Sequence, residues 1–401
     1  MSIERLVRKE IRGPWRVRAT RMRLEAPADM ISLAAGDPPF LLPKYIADAV
    51  NDAILKGYTH YCFGGDPEFK VAISKYYSKY GYEADPGNQV IITSGGSGSL
   101  HQAYGALLNP GDEVIALDPA FGGGSRPPSY FGAKTVFAPM KKLSDGSLRF
   151  DEEALKKAIT DKTKALYIEN PGNPSGTVYT KEELKAIADL AKDHDFVVVA
   201  DEIYTEFIWG GREHFPIITL PGMEDRTIVV MALTKMFAWA GMRTGWIISG
   251  PELAPYVSRA PRSAVSWPIQ KGAIAALTGP WDFVESMARE YEERIDYCVE
   301  RLNEMPGVSC VKPEGAFYLF PDISGTGLGS DEFAQKFMQE ERVRIVSGSG
   351  YGPAMGKGHV RMSMVTPLST QKIPSWLKVG PDTSLEAAMD RMERFTKKLA
   401  K

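Results

Sequence analysis

Short runs of apolar residues alternate with helical patterns through the middle of the 401-residue chain. These runs are continuous rather than interrupted by polar residues, which is typical of strands buried on both faces of a sheet. They predict strands at "QVIIT" (89–93), "EVIAL" (113–117), "KALYIE" (164–169), "FVVVAD" (196–201), "TIVVMAL" (227–233) and "GWIIS" (245–249). Helical patterns lie between them, as at 180–194, where Thr180 and Glu183 form a capping box. This alternation predicts an α/β domain whose mostly parallel sheet is flanked by helices.

The pattern changes after residue 281. Residues 282–304 carry apolar side chains at helical spacing and predict one long amphipathic helix. Short strands and helices near 331–340 and 383–400 then predict a smaller α+β domain. We expect four regions: an N-terminal arm with part of the small domain (1–45), a large domain (46–281), an interdomain helix (282–305) and the C-terminal small domain (306–401). The "GGGS" segment (122–125) predicts a flexible turn.

Composition excludes several classes of function. A net charge of -2 argues against nucleic acid or an anionic membrane as the main partner, because both favour concentrated basic surface. No segment approaches the ~20 apolar residues that span a bilayer, and the N-terminus lacks the apolar region of a secretory signal. The three cysteines lie far apart, and the five histidines have no metal-ligand spacing. We therefore expect a cytoplasmic protein without a metal site.

One lysine stands alone in the segment "MALTKMFAWAGMRTGW" (231–246). Between Ile228 and Met242 the only ionisable side chain is Lys235. It could be a surface lysine whose stem lies over apolar neighbours. Alternatively, it could be an amine in an apolar site, where burial lowers its pKa and makes it nucleophilic.

Other candidate site residues follow predicted strands. The segment "TSGGSGSLHQAYGALL" (93–108) joins a strand to a helix and could bind an anion at the helix N-terminus, although its spacing fits no nucleotide fingerprint. Asp201 ends a strand and could either cap a helix or face a ligand, with Tyr204 nearby. Asn173 lies in the loop "ENPGNPSGTVY" (169–179) and could be purely structural. With no metal motif and no GxSxG elbow, the isolated lysine suggests an aldehyde cofactor.

The chain resembles the class I/II aminotransferases, which are fold type I enzymes dependent on pyridoxal 5'-phosphate (PLP). The resemblance extends over nearly the whole chain, from "ISLAAGDPPF" (31–40) to "GHVRMSM" (358–364). The blocks between them occur in the family's order: "YCFGGDPEFKVAI", "TSGGSGSL", "DPAF", "NPGNPSGTVY", "ADEIYTEF", "LTKMFAWAGMRTGW" and "PEGAFYLF".

The resemblance implies a role for each matching residue around the cofactor. Lys235 is implied as the Schiff-base lysine and proton carrier, and Asp201 as the partner of the pyridine nitrogen. Asn173 and the catalytic Tyr204 are implied to bind the phenolic oxygen, and Phe121 to stack on the ring. The implied phosphate site consists of Gly96, Ser97, Arg243 and Thr234, the last because Ala232 replaces the family's serine.

The resemblance also implies a substrate site and a homodimer. Arg361 is implied to bind the α-carboxylate, with Gly36 and Asn173 beside it, and Tyr61 to reach the neighbouring subunit's phosphate. The implied side-chain pocket draws on Trp15, Val17, Phe40, Ser97, Trp239 and residues near Trp267 of the partner subunit. These residues indicate a neutral or aromatic substrate, whereas Arg259 or Arg262 from the other subunit would suit an acidic one.

The reaction implied is transamination between an L-amino acid and a 2-oxo acid by a ping-pong mechanism. A β-eliminating lyase, racemase or decarboxylase could use the same lysine and cofactor, because the fold does not decide which bond breaks. A non-catalytic PLP-binding scaffold is a more remote alternative.

Overall fold

The computed structural model describes residue 27 and residues 29–372 and 381–400. Its central sheet contains, in spatial order, β2 (Val90–Thr93), β10 (Gly245–Ser249), β9 (Thr227–Ala232), β8 (Val197–Asp201), β7 (Thr163–Glu169), β3 (Glu113–Asp118) and β4 (Lys134–Pro139). Six of these seven strands run in the same direction, and β10 runs in the opposite one. The prediction of an α/β fold with a mostly parallel sheet is therefore confirmed, with all six predicted strands present.

The α-helices of the described residues pack around this sheet and the smaller sheets. They are α1 (Lys44–Leu55), α2 (Pro67–Ser78), α3 (Gly95–Leu107), α4 (Gly122–Ser125), α5 (Glu152–Ala158), α6 (Lys181–Asp193), α7 (Leu233–Met236), α8 (Ala254–Arg259), α9 (Trp267–Thr278), α10 (Asp282–Asn303), α11 (Ser330–Glu341) and α12 (Leu385–Leu399). Ile228 and Val230 of β9 belong to one core cluster, whereas Val229 and Met231 belong to another. Both faces of the sheet are therefore covered, as its continuous apolar strands require.

Local signals account for the boundaries of several helices. The predicted capping box of α6 is present: the Thr180 hydroxyl accepts the Glu183 N–H at 3.2 Å, and the Glu183 carboxylate accepts the Thr180 N–H at 2.9 Å. The predicted flexible turn at 122–125 is wrong, because these residues form the helical turn α4. Gly124 is buried there, and a Cβ at this position would lie 1.9 Å from Cζ of Tyr167. The close approach of this ring requires glycine.

Smaller sheets lie beyond the central one. A three-stranded sheet has the order β11 (Tyr318–Leu319), β14 (Val360–Ser363) and β13 (Val346–Ser347), while β1 (Ile31–Ser32) pairs with β12 (Val343–Arg344) and β5 (Lys141–Lys142) with β6 (Leu148–Arg149). Pairing of β1 with β12 joins the early chain to its C-terminal part. The predicted long helix is confirmed as α10. The four domain boundaries stay a prediction.

Across the described residues, no helix combines the length and apolar character that crossing a membrane requires.

Candidate active site

A cavity of about 320 Å³ opens where the carboxyl ends of the central strands approach β11 and β14. This edge of a parallel sheet is where α/β proteins commonly bind ligands. Eleven of the predicted site residues line the cavity: Gly36, Gly96, Ser97, Phe121, Asn173, Asp201, Tyr204, Thr234, Lys235, Arg243 and Arg361.

Lys235 lies in α7, directly after β9, and its side chain faces the cavity. Its ammonium group donates a hydrogen bond to the backbone carbonyl of Gly36. Burial lowers the pKa of Lys235 to about 8, and the positive charges of Arg361 and Arg243 act in the same direction. The alternative of a lysine spread over the outer surface is therefore wrong, and the lowered pKa leaves a larger share of the amine unprotonated at moderately alkaline pH.

Asp201 ends β8 and is 2% exposed. Its carboxylate accepts hydrogen bonds from the Tyr167 hydroxyl and the Ile203 N–H, both at 3.4 Å. Burial raises the pKa of Asp201 to about 7. Residues 202–205 contain no helix, so Asp201 is not a helix N-cap. The chain instead holds an acid in the cavity wall, where a cationic ligand group would favour its ionised form.

The N-terminus of α3 and Arg243 meet at one corner of the cavity. α3 begins at Gly95, and the preceding Ser94 side chain makes no capping hydrogen bond with it. Arg243 lies so close that its Nη2 would be 2.9 Å from a Cβ on Gly95. Its guanidinium donates to the carbonyls of Ala240 at 2.8 Å and Ser94 at 3.3 Å, and it has no salt bridge within the described part of the chain. Helix N–H groups beside an arginine without an acidic partner suit a phosphate.

Arg361, on β14, forms the opposite side of the cavity. Its guanidinium carbon lies 4.5 Å from the centre of the Tyr318 ring and 5.7 Å from that of Tyr351. One Nη donates to the carbonyl of Ala34. Nε is buried and has no hydrogen-bond partner among the described residues. Unused donors on a planar guanidinium suit a carboxylate.

The family model described as "Aminotransferase class I and II" matches residues 28–377. The chain belongs to this family. It is 38% identical to an aspartate aminotransferase of Pyrococcus abyssi, over 91% of each chain, and 36% identical to aromatic-amino-acid aminotransferase 2 of Thermococcus litoralis, over 97% of each. The crystal structure of an aromatic aminotransferase from Pyrococcus horikoshii OT3 superposes with a TM-score of 0.83 at 36% identity, covering 94% of this chain and 98% of that one. The protein is therefore an aminotransferase with the fold type I architecture.

Sequence reasoning missed Tyr318 and Tyr351, which line the cavity, and Glu169, which lies beside Asp201 in the sheet without lining the cavity. The Tyr318 hydroxyl is 2.8 Å from that of Tyr204, and both side chains line the cavity. Glu169 is buried at the end of β7, and its carboxylate accepts the N–H of Phe121 at 2.9 Å. Burial raises the pKa of Glu169, and the neighbouring charge of Asp201 adds to this effect. Glu169 could have been found from the same sequence pattern that marked Asp201, an acidic residue at the end of an apolar strand. No sequence pattern marks Tyr318 apart from its place in "GAFYLF".

Parts of the predicted side-chain pocket of the aminotransferase are wrong. Among the described residues, neither Phe40 nor Trp239 lines the cavity. The Phe40 ring packs edge-on against Phe283 and Tyr291, and Trp239 is 1% exposed within the core beside β9 and β10. Trp15 and Val17 lie outside the described residues.

Tyr61 lies away from the cavity. It is 74% exposed and stacks on the exposed ring of Phe63, with centroids 5.4 Å apart. Both rings line an open groove together with Trp267. The structure of one chain does not bring Tyr61 into its own site.

Proposed function

We propose that this aminotransferase uses PLP to transfer an amino group from an L-amino acid to a 2-oxo acid in two successive half-reactions. One observation carries the proposal: a single cavity combines a lysine whose pKa is about 8, a buried carboxyl and two arginines. Within the described part of the chain, neither Arg243 nor Arg361 has a salt-bridge partner, so both can bind anionic groups of ligands.

The residues of the cavity fit the proposed cofactor. Asn173 Oδ1 is buried without a hydrogen-bond partner among the described residues, as expected of a group that a ligand satisfies. The cofactor would contact Gly96, Ser97, Thr234 and Arg243 through its phosphate, Asp201 through its pyridine nitrogen, Asn173 and Tyr204 through its phenolic oxygen, and Phe121 through its ring face.

When bound, PLP supplies an aldehyde that reacts with amines and a ring that stabilises negative charge at the substrate Cα. Lys235 would hold the cofactor through its unprotonated amine, which would bond to the aldehyde carbon with loss of water. Once displaced by the amine of the substrate, Lys235 would accept the proton from the substrate Cα and donate it to the former aldehyde carbon of the cofactor. A pKa of about 8 suits both tasks, because the group is then neither permanently protonated nor too weak a base.

Asp201 and Arg361 each bind a group of opposite charge, Asp201 on the cofactor and Arg361 on the substrate. Ionised Asp201 would hold a proton on the pyridine nitrogen of bound PLP, and that positive charge would lower the pKa of the carboxyl from its raised value. Arg361 binds the α-carboxylate of the substrate in a bidentate manner that a lysine could not reproduce. The carbonyl of Gly36 lies beside this site.

We propose a substrate with a neutral or aromatic side chain. Two tyrosine rings, Tyr318 and Tyr351, line the cavity, and Ser97 offers a hydroxyl rather than a cation. The relatives named above include both aspartate and aromatic-amino-acid aminotransferases. A screen of amino donors in half-reactions distinguishes these classes. Each donor is added without acceptor and read as the loss of the aldehyde form of the cofactor, and pyruvate or 2-oxoglutarate is then added and read as its return.

We further propose a cytoplasmic homodimer that functions in amino acid metabolism. The exposed Tyr61 and Phe63 rings, in the groove with Trp267, offer apolar area that a second copy can bury. Tyr61 would then reach the phosphate in the neighbouring site. The unpaired cysteines Cys62, Cys298 and Cys310 are consistent with a reducing compartment.

Replacement of the proposed Schiff-base lysine tests the function. Lys235→Ala should abolish transamination and the absorbance of the covalently attached cofactor, whereas Lys164→Ala, at an exposed lysine on β7, should change neither. Normal turnover by Lys235→Ala would falsify the proposal. Steady release of ammonia and a 2-oxo acid without any acceptor would instead indicate a β-eliminating lyase.

A further inference from the structure

Tyr318 connects two residues that the proposed function assigns to different ligands. Its hydroxyl lies 2.8 Å from that of Tyr204, and its ring lies under the guanidinium of Arg361 at 4.5 Å. Tyr204 would bind the cofactor, whereas Arg361 would bind the substrate carboxylate. Tyr318 thus contacts one residue of the proposed cofactor site and one residue of the proposed substrate site.

Strand register explains the contact between Tyr318 and Arg361. In the antiparallel pair of β11 and β14, Tyr318 lies opposite Ser363, and Arg361 is two residues before Ser363. Residues two apart on a strand share a face, so Tyr318 and Arg361 are diagonal neighbours. The ring faces a cation whose Nε is buried and without a partner in the described structure. A cation over a tyrosine face is stabilised, and this contact limits the directions in which the guanidinium can point.

The hydroxyl of Tyr318 is equally constrained. Tyr204 lies in the turn after β8 and Tyr318 belongs to the small three-stranded sheet, so their hydrogen bond connects this turn at the edge of the large sheet to the small sheet. A Cβ on Gly36 would lie 2.1 Å from the Tyr318 hydroxyl oxygen, which shows how closely the Gly36 backbone encloses it. Burial raises the pKa of both tyrosines, so both hydroxyls keep their protons at neutral pH.

Each hydroxyl has a single proton to donate, which sets the direction of this hydrogen bond once the cofactor is bound. If Tyr204 donates its proton to the phenolic oxygen of the cofactor, Tyr318 must donate to Tyr204. A hydroxyl that accepts a hydrogen bond is a stronger donor, so Tyr318 would strengthen the bond from Tyr204 to the cofactor.

We propose that Tyr318 is a positioning residue with two separable functions, in which its ring supports Arg361 for carboxylate binding and its hydroxyl orients Tyr204 toward the cofactor. This inference rests on the proposed PLP function. A structural role alone would need only the ring, because phenylalanine fills the same space and the hydroxyl serves only the contact with Tyr204.

Tyr291 provides a matched control. It is a fully buried tyrosine whose ring stacks on Phe317 at 4.7 Å, next to Tyr318 in the chain. Its hydroxyl has no hydrogen-bond partner in the described structure. Tyr291→Phe therefore makes the same chemical change in the same core without touching Tyr204 or Arg361.

The hydroxyl is tested with Tyr318→Phe. We expect kcat to fall about three- to tenfold, the range for one lost hydrogen bond, with little change in KM. The pH midpoint of the bound cofactor's absorbance, measured without substrate, should rise, because a weaker hydrogen bond leaves more negative charge on the phenolic oxygen and favours the protonated form. In a Tyr204→Phe background, Tyr318→Phe should have no further effect on this midpoint.

The ring is tested with Tyr318→Leu and Tyr318→Met on cofactor-free protein. Calorimetry measures the affinity of each variant for two unreactive carboxylates, maleate and 3-phenylpropionate. The Leu and Met variants should bind them about three- to tenfold more weakly than Tyr318→Phe, which keeps the ring. Circular dichroism checks that each variant is folded. Leucine and methionine differ in shape, so if one of the two variants does not fold, the test uses the other.

The outcomes separate this inference from the proposed function. If the wild type binds PLP and Lys235→Ala is inactive, but Tyr318→Phe has the same midpoint and kcat as Tyr291→Phe, the role of the hydroxyl is refuted. Unchanged carboxylate binding in the folded Leu or Met variant refutes the role of the ring. If the wild type itself shows no cofactor absorbance, the proposed function fails instead.

Discussion

Glu169 and Asp201 lie directly opposite each other at the carboxyl ends of the parallel strands β7 and β8. Both are buried, and neither forms a salt bridge with a residue in the described part of the chain. Burial raises the pKa of each carboxyl, and the charge of Asp201 raises that of Glu169 further, so ionising both costs more than ionising one. A cationic ligand group beside them would favour the ionised forms.

The first prediction concerns how this charge affects stability in the cofactor-free protein. The pKa of Asp201 is about 7 in the folded state and near its ordinary 3.8 when unfolded. Since the unfolded chain releases this proton at lower pH, ionisation of Asp201 reduces the stability of the fold progressively from about pH 4 to 7. Asp201→Asn should therefore raise the free energy of unfolding by about 4 kcal/mol at pH 8, the difference between these two pKa values converted to free energy, and by much less near pH 4.

Urea unfolding of the cofactor-free protein at both pH values measures this effect. Asp161→Asn, at an exposed acid, serves as the control and should have almost no effect at either pH. With PLP present the sign should reverse, because the asparagine variant loses the charge that holds the cofactor. An equal effect of Asp201→Asn at pH 4 and pH 8 would contradict the explanation.

The second prediction concerns the amine of Lys235. Its lowered pKa of about 8 implies that covalent attachment of PLP to the cofactor-free protein accelerates with a midpoint near pH 8, well below that of an ordinary lysine. Stopped-flow absorbance over pH 6 to 10 measures it. A rate that is still rising at pH 10, with no midpoint in the measured range, would show that the amine is solvated before the cofactor binds.

Two charged side chains near Lys235 shift its pKa in opposite directions, which allows a further test. Asp37 raises the pKa of Lys235 and Arg361 lowers it, although burial is the largest influence. Asp37→Asn should therefore move the midpoint of attachment down, and Arg361→Gln should move it up. Shifts of the same sign in both variants would exclude direct electrostatic action.

Local signals in the sequence were sufficient for the central sheet and drew attention to Asp201 and Lys235, whereas Phe121, Arg243 and Arg361 were assigned only through the family resemblance. Strands buried on both faces are continuous apolar runs, and Asp201 and Lys235 stand out because a charge ends or interrupts such a run. The edge strand β4 was missed because "KTVFAP" mixes polar with apolar residues and ends in proline, as a strand with one free edge can.

Residues whose roles depend on distant contacts could not be predicted in this way. Tyr204 and Tyr318 are 114 positions apart, and Phe121 and Glu169 are 48 apart, so no local pattern links them. Trp239 was assigned to the cavity through the family resemblance. In the fold, its ring turns into the core beside Gly272, where a Cβ would lie 2.9 Å from it.

The third prediction concerns the start of α6. Thr180→Ala removes the hydroxyl that accepts the Glu183 N–H and should lower the free energy of unfolding by about 1 kcal/mol. Thr180→Ser keeps the hydroxyl and should stay close to the wild type. Urea titrations of the three proteins measure the difference, and equal loss in both variants would mean that the methyl group, rather than the cap, stabilises the helix.

The fourth prediction uses the close contact between Gly36 and Tyr318. The Gly36 backbone is not in the left-handed region, so an alanine there meets only a steric obstacle, the Tyr318 hydroxyl oxygen 2.1 Å from the new Cβ. Gly36→Ala should lower the free energy of unfolding by about 1 to 3 kcal/mol, a typical cost of overpacking, and should reduce kcat. Gly241→Ala, where nothing lies within 4 Å of the new Cβ, should be close to neutral for stability.

A second substitution should restore part of this loss. Tyr318→Phe removes the clashing oxygen and leaves Cζ as the nearest atom, at 3.1 Å, a distance that a small shift of the ring can relieve. The double variant Gly36→Ala/Tyr318→Phe should therefore be more stable than the sum of the two single effects predicts. Its kcat should not recover beyond that of Tyr318→Phe, because the hydrogen bond to Tyr204 is still missing. Purely additive stability would show that the alanine is accommodated by movement of the backbone at Gly36 and that the position of the Tyr318 hydroxyl does not limit this part of the site.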